Sequence, residues 1–88
     1  MNKRNKYISE GHITWTMDLN CVKVYDSNSH KSSVIEYPEA ALWDLIQQKY
    51  PADQIILMMA AITKDDKSHA EEWINKNIQA WLNGGLLK

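Results

Sequence analysis

The chain has 88 residues, room for one domain and no more. Ten Lys and Arg oppose eleven Asp and Glu, and 44% of residues are hydrophobic, which excludes a compositionally disordered chain. A chain this short buries roughly 60–65% of the surface its unfolded form exposes, so its core must be used economically. Phe is absent; four Trp and four Tyr supply the large rings, and their polar atoms place several of them at the margin of the core. Cys21 is the single cysteine and cannot form an intrachain disulfide, so a reducing, cytoplasmic setting fits best. The basic start (Lys3, Arg4, Lys6) lacks the apolar run of a secretory signal. The longest apolar candidate, Ile55 to Ile62, is too short to cross a bilayer.

In chain order, residues 1–10 read as a flexible N-terminal tail and residues 11–88 as the folded domain. Ile13, Trp15 and Met17 alternate with polar neighbours, the period of a half-buried strand. Asp18-Leu19-Asn20 predicts a short turn, and Cys21 to Tyr25 is again β-branched and alternating. After a polar loop over residues 26–31, Ser32 to Tyr37 predicts a third strand with Val34 and Ile35 at its centre. Three strands with short links make an antiparallel meander.

Pro38 suits a helix start, and Ala41, Leu42, Leu45 and Ile46 follow at helical spacing until Tyr50-Pro51 breaks the run. A second helix is predicted from Ala52 to Ile62, apolar on so many sides that it should be largely enclosed. The third is predicted from Asp66 to Asn83, with Ala70, Ile74, Ile78 and Leu82 as its stripe and Trp73, Asn77 and Ala80 beside it. Asp65 or Asp66 can cap it, and Ser68 with Glu71 also reads as a capping box. Gly84-Gly85 ends it, and Leu86-Leu87 can fold back onto the core. The fold class is therefore α+β, a three-stranded meander followed by a winged-helix-like three-helix bundle.

Catalytic patterns are missing. Cys21 lies in a strand and reads as a small packing residue. His12, His30 and His69 fall on three different elements without metal-ligand spacing. The only Gly-Gly pair follows a helix instead of opening one, so there is no phosphate cradle and no cofactor is expected. The chain reads as a non-enzyme. A winged helix can bind DNA through its third helix. Here Asp65, Asp66, Glu71 and Glu72 outnumber Lys67 and Lys76, and residues 7–88 contain no arginine. Phosphate neutralisation and guanine readout both argue for the opposite balance.

Three segments carry a resemblance: Trp15 to Asp26 (WTMDLNCVKVYD), Tyr37 to Ile46 (YPEAALWDLI) and Trp81 to Leu87 (WLNGGLL). In order and spacing they resemble PqqD-like proteins, over residues 13–87. Trp43-Asp44-Leu45 and Gly85-Leu86-Leu87 match best. Tyr37-Pro38-Glu39-Ala40 departs from the Asn-x-x-Gly-type turn of many members, placing the chain on a divergent branch and leaving its pathway unassigned. The resemblance implies a recognition element that binds the leader segment of a precursor peptide and presents it to a modifying enzyme, often a radical S-adenosylmethionine protein. It implies a leader lying as an added strand along the third strand and against the third helix. The expected contact residues are Ser33, Val34, Ile35 and Glu36 with Trp73, Asn77 and Ala80. Two other readings stay open: DNA binding, and a structural domain in which the same edge pairs two copies into a homodimer.

Overall fold

A computed structural model describes residues 5–88. The elements run β1 (Ile13–Asp18), β2 (Cys21–Asp26), β3 (Lys31–Glu36), α1 (Glu39–Gln47), α2 (Ala52–Thr63) and α3 (Lys67–Asn83). The strands form one antiparallel sheet in the order β1-β2-β3, so the expected α+β meander and three-helix arrangement is what the chain adopts. Among the described residues no helix is long and apolar enough to cross a membrane.

Alternation decides which face of the sheet is buried. Val22 and Val24 of β2 are buried and sit opposite Met17 and Trp15 of β1, and opposite Ile35 and Ser33 of β3. Ile13 and Ile35 complete the apolar face. Cys21 has the other parity: it is half-buried away from the core, and its thiol donates to the Asp18 carbonyl at 3.2 Å. Its expected role in packing is thus not met in the core proper.

The helices close over that face. Ala40, Leu42, Trp43 and Ile46 of α1 are buried, as are Ile74, Ile78 and Trp81 of α3. Trp43 joins the layers: its ring meets Trp15 edge-on at 6.2 Å and Trp81 at 5.3 Å. The second helix is less enclosed than its composition suggested. Only Ile55 and Met59 are buried, and Leu57 faces solvent, because α2 packs on one side only, against α1 and α3.

The helix ends follow local chemistry. Lys49, at φ 67°, turns the chain out of α1 ahead of Pro51. Asp66 caps α3, accepting from the His69 N–H at 2.9 Å, while Ser68 lies inside the helix; the cap is the aspartate and not the serine box. Gly85, at φ 77°, sits where a left-handed residue lets the Leu86 N–H reach the Trp81 carbonyl at 2.9 Å. Leu87 is consequently buried and Leu86 half-buried, as the sequence led us to expect.

The Asp66 carboxyl is held below the usual carboxylate range, first by the hydrogen bond from the His69 backbone. The His69 imidazole is raised in turn, first by Asp66 and then by Asp65. Replacing Asp66 with Ala is expected to lower the thermal midpoint by a few degrees, through loss of the cap. It should also move the His69 titration, followed by imidazole NMR, down toward its ordinary value, with Asp65 still holding it raised. An unchanged midpoint and titration would contradict this arrangement.

The N-terminal segment was expected as a tail, and residues 1–4 of it lie outside the described residues. Residues 5–10 are tied down. Asn5 donates to the carbonyls of Ile46 and Tyr50 at 3.2 and 2.9 Å. Ser9 bridges Leu87, and Ile8 and Lys88 exchange backbone hydrogen bonds. The Lys49 ammonium donates to the Tyr7 carbonyl.

Candidate functional site

β3 ends the sheet, so one side of its backbone has no strand beside it. The register identifies which groups face that side. The Ser27 N–H donates to the His12 carbonyl at 2.9 Å, continuing the β1–β2 register by one pair. In an antiparallel ladder each residue directs its N–H and C=O to the same neighbour, and successive residues alternate. Cys21, Lys23, Tyr25 and Ser27 therefore bond toward β1, and Val22, Val24 and Asp26 toward β3. Their partners on β3 are Ile35, Ser33 and Lys31. The backbone groups of Ser32, Val34 and Glu36 are left pointing outward. Two turns agree with this parity: a two-residue link at Leu19-Asn20 and a four-residue link closing on His30, at φ 57°.

Such an edge is a template for another strand. It is unprotected here: Ser32, Ser33, Val34 and Glu36 are exposed, Val34 with 56% of its surface free. Its C-terminal half opens into a cleft of about 350 Å³ lined by Val34, Ile35, Glu36, Tyr37, Glu39 and Trp81. Ile35 and Trp81 lie beneath it as core residues and show it little surface, so most of the exposed lining is polar. The rim carries Glu36 and Glu39.

The residues expected to bind thus fall into two groups. Val34, Ile35 and Glu36 line this cleft, and Ser33 adjoins it in β3. Trp73 is half-buried against the core and borders a separate depression with His69, Glu72 and Lys76. Asn77 is half-buried and donates its side-chain amide to the Trp73 carbonyl at 2.9 Å, so part of its hydrogen-bonding capacity is used within α3. Ala80 is exposed. Trp81, Tyr37 and Glu39 also line the cleft and were not among the expected contact residues. Trp81 is one helical step beyond Asn77, so the strip of Trp73 and Asn77 already pointed toward it.

No known family profile matches the chain, and no curated protein matches it. Among solved structures it is similar to TbiB1 in complex with the TbiA(beta) leader peptide. The TM-score is 0.82 at 14% sequence identity, over 91% of this chain and 93% of that one. The chain has the fold of TbiB1. The similarity spans nearly the whole of both chains, so it includes the sheet and all three helices and is not confined to one motif.

The remaining polar clusters have structural explanations. Asp65, Asp66 and His69 bring ligand atoms within 4.8 Å of one another, but all three are exposed and serve the start of α3. His12 lies 4.0 Å from Asp26, and His30 shares a hydrogen bond with the Tyr25 hydroxyl. These contacts involve three separate regions, and no pair of them forms a nucleophile with its base. A more enclosed space of about 120 Å³ between the N-terminal segment, α2 and α3 is walled largely by Ile46, Ile55, Ile74 and Ile78.

Proposed function

We propose that the chain is a non-catalytic peptide-recognition protein that takes the leader segment of a precursor peptide as a fourth strand along β3. The observation that carries this reading is the outward set of backbone groups on Ser32, Val34 and Glu36 beside the Trp81 cleft. Main-chain bonds supply affinity in this mode, and side-chain pockets supply register and specificity. The contact residues are Ser33, Val34, Ile35 and Glu36 on the strand, with Trp73, Asn77 and Ala80 on α3. The fold shared with a leader-peptide complex supports the reading. The modifying partner is a radical S-adenosylmethionine enzyme, as the PqqD-like resemblance implies, and the chain works in the cytoplasm.

The test is direct. A fluorescently labelled leader, taken from a short precursor encoded beside the gene, should bind with micromolar or better affinity by anisotropy. Failure of every neighbouring small peptide to bind would overturn the proposal. The free edge also suits pairing with a second copy. Light scattering with and without peptide separates the two: a dimer indifferent to peptide favours self-pairing.

A further inference from the structure

The charge around the cleft is one-sided. Glu36, the last residue of β3, and Glu39, the first of α1, both line it, and no Lys or Arg does. Among the described residues neither glutamate takes part in an ion pair; the salt bridges present involve Asp18, Asp26, Asp65, Asp66 and Glu10. The cations in the neighbouring sheet are Lys31, at the opposite end of β3, and Lys23 of β2, which stands across from Val34 and pairs with Asp18 at 3.2 Å. Two carboxylates at one end of a strand edge, neither taking part in an ion pair, make an electrostatic discriminator, because like charges brought opposite them are rejected.

We infer that the occupant of the β3 edge is a basic-apolar segment. It places an apolar side chain against Ile35 and Trp81, and a Lys or Arg toward Glu36 and Glu39. This rests on the edge-binding reading above and adds the chemical class of the ligand. The strand geometry supports the division of labour. Partner residues opposite Ser33 and Ile35 project to the helix side of the sheet, where Trp81 lies. Glu36 shares the outer face with Val34, so a basic residue opposite it meets that carboxylate, with Glu39 following at the start of α1. An acidic residue at that end is repelled.

Two synthetic twelve-residue peptides test this. Both carry the same alternating Val/Leu core and differ only in flanking Lys or Glu at both ends. At low salt the Lys peptide should bind about tenfold more tightly, the scale that two exposed ion pairs and the matching repulsions give. The preference should shrink to within about threefold in the E36Q/E39Q double variant. Amide-exchange protection at Ser32, Val34 and Glu36 reports whether binding uses the edge. Equal affinities with protected edge amides would overturn the charge inference and leave edge binding standing. Binding of neither peptide, or binding without edge protection, would overturn both. A preference for Lys that persists unchanged in E36Q/E39Q would assign the selectivity to other residues and sink the inference.

Discussion

Replacing Val34 with proline is expected to leave the protein folded and to weaken leader binding at least tenfold. The Val34 N–H points away from β2, so proline removes no bond of the sheet. What it removes is the central donor of the free edge. One net hydrogen bond is worth roughly 0.5–1.5 kcal/mol, a factor of about 2 to 12. The pyrrolidine ring also projects toward the incoming strand and blocks its approach. Ser33→Pro is the internal control. Ser33 bonds to Val24, so its proline variant should be destabilised in folding, as Val34→Pro is not. Circular dichroism and peptide titration of both variants read this difference. An undiminished affinity in a folded Val34→Pro protein would falsify the edge assignment.

The largest effect on stability is expected at Trp43. Its side chain is fully enclosed and is edge-on to Trp15 of β1 and Trp81 of α3, so one residue holds the sheet to two layers of helix. Truncation to Ala should cost about 3–5 kcal/mol. A domain of this size has a net stability of only about 4–13 kcal/mol, so Trp43→Ala should lose a large share of it, and nearly all of it at the low end of that range. Phe should be tolerated far better. The Trp43 indole N–H has no acceptor among the described residues, and an unsatisfied buried donor costs about 1–3 kcal/mol. Trp43→Phe removes that donor and keeps an aromatic ring between the other two, which offsets part of the lost volume. Urea midpoints of the two variants check both statements. Similar losses for Ala and Phe would show that the indole N–H carries no penalty.

Much of this architecture is legible in the residues. Strict alternation in β1 and β2, the prolines at 38 and 51, and Gly84-Gly85 mark element limits to within one or two positions. These signals are local, and the structure follows them because tertiary packing agrees with each. The site is less legible. Val34 and Ile35 look equivalent in sequence, two β-branched residues at the centre of a strand. The ladder separates them: Ile35 is buried and bonds to β2, while Val34 is exposed and bonds outward. That distinction depends on hairpin parity, which is set by two turns and not by the residues themselves. Trp81 is hidden for a different reason. It is a core residue by burial and a cleft residue by position, and helical periodicity expresses only the first. Asn77 looked like a free polar group on an apolar strip, but its amide reaches back one turn along its own helix. The enclosure expected of α2 failed because composition cannot tell which sides of a helix receive neighbours.

Hydrogen exchange along β3, with and without bound leader, tests the central claim most directly. In the free protein Lys31, Ser33 and Ile35 should exchange slowly, because their N–H groups pair with β2, while Ser32, Val34 and Glu36 exchange fast. Saturating leader should slow Ser32, Val34 and Glu36 together and leave their neighbours little changed. A leader that binds tightly yet leaves those three amides fast would contradict strand addition at β3.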